Sequence, residues 1–178
     1  MRILAGNYKS RKINTINSSN TRPMMSKVRE SIFNSLQFKI PDSDILDLYA
    51  GSGSLGIEAL SRGARFTTFV EKSRDCINIL EKNLKGLDNN YKITNLSVDT
   101  FLATSINKYE IVFYDPPFNF ETKIIDNEIS LIGNSISDSG YLIIHRHSSS
   151  ESIQLPKFYK ISKEKNYGQS NILILNKI

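Results

Sequence analysis

Ile111-Val112-Phe113-Tyr114-Asp115-Pro116-Pro117-Phe118 is an apolar run that passes without a break into an acid, two prolines and an aromatic. Four bulky residues in a row read as a buried strand of a parallel sheet, and proline ends it because it has no ladder donor. Asp115 and Phe118 therefore sit at a strand's carboxyl end, which in open α/β sheets is where ligands bind. Each proline also fixes its own φ and pushes the residue before it toward extended backbone, so the carbonyls here are rigid acceptors. Rigid acceptors suit a site that grips an amino group.

Moving outward, the flanking pattern alternates. Ile45 to Ala50 reads as a strand, Gly51 to Gly56 as a turn and Leu55 to Arg62 as a helix ended by Gly63. Phe66 to Glu71 reads as a second strand, followed by a helix capped by Ser73 and faced by Ile77, Leu80, Leu84 and Leu87. Ile93 to Val98 is expected as a third strand ending at Asp99, Glu110 to Tyr114 as the fourth, and Glu121 to Asn134 as a helix. Tyr141 to His145 is the next strand, and Phe158 to Ser162 and Asn171 to Leu175 are closing strands. The alternation predicts a doubly wound α/β sheet.

The first 39 residues differ in character. They hold Arg2, Lys9, Arg11, Lys12, Arg22, Lys27, Arg29 and Lys39 against Glu30 alone, so they carry the whole positive excess of a chain whose net charge is +5. That polarity is the footprint of phosphate contacts, with a solvated lysine-rich surface as the alternative. Within it, Gly6-Asn7 suits a tight hairpin between Arg2–Ala5 and Tyr8–Ile16, and residues 17–23 form a polar loop. Val28, Ile32, Phe33 and Leu36 mark one apolar stripe of a helix over about residues 25–37. Pro41-Asp42-Ser43 then separates a basic extension, residues 1–39, from the main unit, residues 40–178.

At 178 residues and 39% hydrophobic, the chain can bury a full core. No stretch approaches a membrane span, and the start lacks the long apolar region of a secretory signal, so a cytoplasmic protein is expected. Cys76 has no partner for a disulfide and is expected in the core. His145-Arg146-His147 can place both imidazoles on one face of a strand, but further ligands are not identifiable and no metal is expected. Arg146 is expected to face solvent or RNA.

Gly51-Ser52-Gly53-Ser54-Leu55-Gly56 lies between a strand and a helix, and Glu71 ends the next strand 18 positions after Gly53. Small residues let a ligand approach the backbone, and an acid at about that distance meets a ribose hydroxyl. An adenosine-containing cofactor follows, either NAD or S-adenosyl-L-methionine. The fourth strand separates them, because Asp115, a proline carbonyl and Phe118 together would hold an exocyclic amine while the ring stacks on its base. A dehydrogenase has no need of that arrangement.

Asp47-Leu-Tyr-Ala50-Gly51-Ser52-Gly53-Ser-Leu-Gly56-Ile-Glu58-Ala-Leu-Ser-Arg62-Gly63-Ala64, Phe69-Val-Glu71 and Asp115-Pro-Pro-Phe118 resemble the bacterial family that methylates guanine N2 in small-subunit (16S) ribosomal RNA. Arg2-Ile-Leu-Ala-Gly6, Ser10-Arg11-Lys12, Arg22-Pro23 with Val28 to Asn34, and Tyr167-Gly168 resemble it too. Met24-Met25-Ser26-Lys27 departs from the family's Thr-Ser-Asp-Arg and removes an acid. The resemblance implies a Rossmann-like seven-stranded methyltransferase fold with an antiparallel last strand, S-adenosyl-L-methionine as cofactor, and small-subunit ribosomal RNA or the small ribosomal subunit as partner. A monomer is expected. Asp47, Ala50, Gly51, Ser52 and Gly53 would lie along the cofactor, with Gly51 and Gly53 at its methionine end. Glu71 would meet the ribose and Asp99 the adenine amine. Asp115 and the Pro116 carbonyl would accept from the guanine amine, with Pro117 stiffening the turn and Phe118 stacking. Arg2, Arg11, Lys12, Arg22, Lys27 and Arg29 would contact RNA. A DNA or protein amino methyltransferase could use the same Asp-Pro-Pro-Phe, and a non-catalytic RNA-binding or assembly protein could retain the fold. Intact Gly51, Gly53, Glu71 and Asp115 speak against the last.

Overall fold

The computed structural model describes residues 1–15 and 24–178, and its centre is the strand that ends at Asp115. β1 (Asp44–Leu48), β2 (Phe66–Val70), β3 (Tyr91–Thr94), β4 (Tyr109–Tyr114), β5 (Ile136–His147), β6 (Tyr159–Tyr167) and β7 (Ser170–Lys177) form one sheet in the order β3-β2-β1-β4-β5-β7-β6. β1 to β5 pair in parallel, while β7 is antiparallel to both β5 and β6. The strand order reverses between β1 and β4, so the connections leaving their carboxyl ends run to opposite faces and leave a crevice.

Alternation along β4 builds both faces. Ile111 and Phe113 pack with Val28, Ile32 and Phe33 of α1 (Ser26–Ser35) and with Leu55 and Ala59 of α2 (Ser54–Ser61). Val112 and Tyr114 face α4 (Val98–Thr104) and α5 (Thr122–Ile132) through Leu102, Ile125 and Ile129. A third cluster joins Ile3 and Ile13 to Ile57 and Leu60 of α2, Phe69 of β2, and Leu80 and Leu84 of α3 (Arg74–Leu84). Residues of the basic extension thus share cores with the sheet.

Four expectations differ. β3 stops at Thr94, and Val98 opens α4, because Val98, Phe101 and Leu102 recur at helical spacing and are buried together. The amino-terminal hairpin is a single bridge, Arg2 to Lys12, closed by a loop longer than Gly6-Asn7, since Asn7 N–H donates to Ser61 O at 2.7 Å. Cys76 is half-buried on the flank of α3, whose buried side is Ile77, Leu80, Asn83 and Leu84. Arg146 is buried and donates to Glu151 O at 2.7 Å and to Thr122 Oγ1 at 3.3 Å. The polar loop 17–23, with Arg22 and Pro23, lies outside the described residues. Among the described residues, no helix is long and apolar enough to cross a membrane.

Candidate active site

The site begins where β1 must turn sharply into α2. Tyr49, Gly51 and Gly53 all have positive φ, of 58°, 54° and 79°. Glycine takes this region freely, but for Tyr49 it is a strained conformation that the surroundings have to hold. They do so through its phenol, which donates to both carboxylate oxygens of Glu128 on α5 at 2.8 and 3.0 Å. Tyr114, at the end of β4, donates to the same carboxylate at 2.6 Å. Burial raises the pKa of Glu128 and of both phenols. This trio ties the loop after β1 to the end of β4.

Asp47 is buried and accepts the Gly56 N–H at 2.8 Å. A side chain at Gly56 would stand 2.3 Å from the Phe69 ring and 2.9 Å from Asp47 Oδ2, so this glycine serves strand-to-helix contact. Glu71 at the end of β2 accepts from Gly51 N at 3.0 Å and from Ser73 N at 2.8 Å. Asn83 of α3 donates to Ser52 O at 2.9 Å. Burial lifts the Asp47 carboxyl well above the usual range, and the neighbouring charges of Asp115 and Glu71 push the same way. Three acids therefore converge on one sheet edge. The charges of Glu71 and Asp115 among them suit a cationic centre and repel a pyrophosphate.

Beyond Glu71 lies a cavity of about 470 Å³. Tyr49, Val70, Leu96, Val98, Phe120 and Ile124 give it apolar walls, with Glu71 and Asp99 among its polar groups. Asp99 reaches the cavity from the first turn of α4, and a hydrogen bond with Ser97 holds its carboxyl below the usual range. Its volume, apolar walls and two acids fit the adenosine of S-adenosyl-L-methionine.

The β4–β5 register fixes the other half. Tyr114 pairs with Ile144, so the next residues, Asp115 and His145, emerge side by side. His145 is buried; its Nδ1 lies 2.8 Å from Asp115 Oδ1 and its Nε2 2.9 Å from Ser170 Oγ on β7. An ionised carboxylate only accepts, so Nδ1 carries the proton and faces Asp115. Phe118 is exposed, and its ring meets the edges of His145 and His147 with centroids 5.0 and 5.6 Å away. Pro116 is buried and Pro117 exposed. No group of three or more His, Cys, Asp or Glu is placed to hold a metal among the described residues.

The basic candidates divide. Arg2, Lys12 and Lys27 are exposed, and Arg2 donates to Ser10 O at 2.7 Å. Arg11 is half-buried and caps α3 by donating to Asn83 O at 3.2 Å and to Lys85 O. Arg29 is fully buried, donating to Arg2 O and to Met1 Sδ, and is closed to phosphate. It follows Val28 on the covered side of α1, where charge alone gave no sign of burial.

Sequence reasoning missed His145, Ser170, Tyr49, Tyr114 and Glu128 as parts of the site. The signal for Glu128 was an acid within the apolar stripe Ile125, Ile129, Ile132; for His145 it was the alternation with His147.

The profile of the family described as "Conserved hypothetical protein 95" matches residues 1–176. The ribosomal RNA small subunit methyltransferase D of Haemophilus influenzae is 37% identical over 174 residues, which cover 94% of this chain and 89% of that protein. The Escherichia coli K12 protein of the same name is 34% identical over 172 residues, covering 95% and 86%. A solved structure described as putative methyltransferase yhhF from Escherichia coli superposes with a TM-score of 0.88 at 30% identity, covering 99% of this chain and 97% of that one.

Proposed function

The chain belongs to the family described as conserved hypothetical protein 95, and from that premise we propose that it transfers a methyl group from S-adenosyl-L-methionine to the N2 amine of a guanine in small-subunit ribosomal RNA. The observation that carries this reading is the Asp115 carboxylate beside Pro116 and Phe118, at the edge of a crevice whose acids favour a cation.

S-adenosyl-L-methionine supplies a methyl group on a positively charged sulfur. Glu71 and Asp99 would hold its ribose and adenine, while the loop that carries Gly51 and Gly53 would run along its methionine end. The guanine amine is a poor nucleophile because its lone pair is conjugated with the ring. Asp115 Oδ1 is held by His145, so Oδ2 and the Pro116 carbonyl are the acceptors left for the two amine protons. Fixing both protons favours a pyramidal nitrogen with its lone pair aimed at the methyl. Phe118 stacks on the base, and Asp115 is the nearest acceptor for the proton the alkylated amine sheds. Alignment supplies much of the acceleration, since effective molarity can contribute roughly 7 kcal/mol or more. Meeting Asp115 requires the base to leave its stack, which costs least in an exposed loop.

The test supplies labelled S-adenosyl-L-methionine, the protein, and small ribosomal subunits or their RNA from cells lacking this gene, followed by digestion to nucleosides. N2-methylguanosine is expected to carry the label. Label in methyladenosine, or in DNA and never in RNA, overturns the guanine assignment.

A further inference from the structure

Lys163, exposed, and Lys165, half-buried, lie on β6 far from the amino-terminal extension in sequence, yet the fold brings them to it. β6 is the free edge of the sheet, and every residue from Lys160 to Glu164 is exposed. Lys163 Nζ donates to Ser35 Oγ at 3.3 Å and Lys165 Nζ to Ser31 Oγ at 2.9 Å, both on α1. Lys27, Ser31 and Ser35 recur every four residues, so they form one stripe of α1 turned toward β6. Tyr167 Oη shares a hydrogen bond with Ser31 Oγ; accepted from the serine, that bond stabilises the phenolate and, with the charges of Lys165 and Lys27, holds the phenol below its usual pKa. The acid of the strand, Glu164, is engaged by Asn171 Nδ2 at 2.9 Å. Among the described residues no carboxylate lies within 4.0 Å of Lys27, Lys163 or Lys165.

This face also abuts the site. Tyr167 pairs with Ser170 across the β6–β7 turn, and Ser170 Oγ holds His145, which holds Asp115. We propose that Lys27, Lys163 and Lys165 form a phosphate-binding face for the ribosomal RNA strand that delivers the target base, leading from α1 and β6 to the Asp115 edge. It rests on the reading of the protein as a ribosomal RNA methyltransferase. Ammonium groups with no carboxylate beside them are what a phosphate backbone needs, and such contacts set affinity and register without reading sequence. Lysines also guard edge strands against pairing with other chains. Edge protection accounts for Lys163 and Lys165 but not for Lys27 converging on them from a helix.

The experiment compares the full-length protein, Lys163→Gln/Lys165→Gln, Lys27→Gln and Lys108→Gln for binding to small subunits from cells lacking this gene, over a range of salt. Lys108 precedes β4, at the opposite edge of the sheet from Asp115. The double variant is expected to bind roughly tenfold more weakly near physiological salt, with the slope of log K against log salt smaller by roughly 1.4, about 0.7 per lost contact. Lys27→Gln loses half of that slope change and Lys108→Gln none. Affinity for S-adenosyl-L-methionine and turnover at saturating RNA are expected to stay at the wild-type level. A wild-type slope in the double variant overturns the face while leaving the enzyme reading intact. Failure of the wild-type protein to bind or methylate the subunit overturns both.

Discussion

His145 bridges Asp115 and Ser170 from a buried position, so in the proposed reaction it is a positioning residue: it fixes one carboxylate oxygen and leaves the other free. Asparagine reproduces the Nδ1 donor and glutamine the Nε2 end, which separates the two contacts. His145→Gln and His145→Leu are expected to lower kcat roughly 10- to 100-fold, the worth of a charge-assisted hydrogen bond. His145→Asn should stay within a few-fold, and cofactor affinity should not move in any of the three. Equal losses in His145→Asn and His145→Leu would remove the Asp115 contact from the mechanism. The acid itself was legible from the sequence, because a strand that runs into Asp-Pro-Pro can present Asp115 only at its carboxyl end. His145 was not, because its role depends on β4 and β5 lying in register and on β7 returning beside them. Arg29 failed for a related reason: charge reports polarity along a chain, while burial of a guanidinium among Val28, Ile32 and Phe33 is decided by packing.

α2 is joined to the amino-terminal segment by one side chain. Glu58 is fully buried and accepts from Leu4 N at 2.8 Å and Ala5 N at 3.1 Å, and it pairs with Arg62 Nε at 2.7 Å. Glu58→Ala leaves two backbone donors unsatisfied, at about 1–3 kcal/mol each. A fall of that size in urea stability is expected, together with faster amide exchange at Leu4 and Ala5; unchanged exchange there would show that the segment is held by Ile3 and Ile13 alone. The alternating elements themselves were readable wherever apolar period and a breaker agreed, as at Ser73, whose hydroxyl does accept from Cys76 N. They were not readable at Ile93 to Val98, where Leu96 and Val98 continue a strand-like alternation. Val98, Phe101 and Leu102 instead satisfy a short helix, and tertiary burial decides for it.

At the scale of the molecule, the burial of Asp47 is visible in stability. The folded-state pKa of Asp47 is raised, so the folded chain retains a proton that the unfolded chain has released. The stability this contributes is full below the ordinary aspartate pKa and is lost as pH rises through the folded value, at up to about 1.4 kcal/mol per pH unit. Asp47→Asn keeps an acceptor for Gly56 N–H but cannot titrate. Its urea midpoint should therefore fall less between pH 5 and pH 8 than that of the wild type; an equal fall would assign the dependence to Glu128, whose pKa is raised in the same direction. A different consequence follows from β7 lying between β5 and β6. During synthesis β5 and β6 emerge first, and the side of each that β7 covers stays open until residues 170–177 follow, about 1.5–6 s after β5 at roughly 5–20 residues per second. Over that interval the nascent chain carries an apolar strand with an open edge and lacks Ser170 behind His145. Translation order therefore makes the support of Asp115 one of the last things to assemble, and gives a chaperone a defined strand to shield.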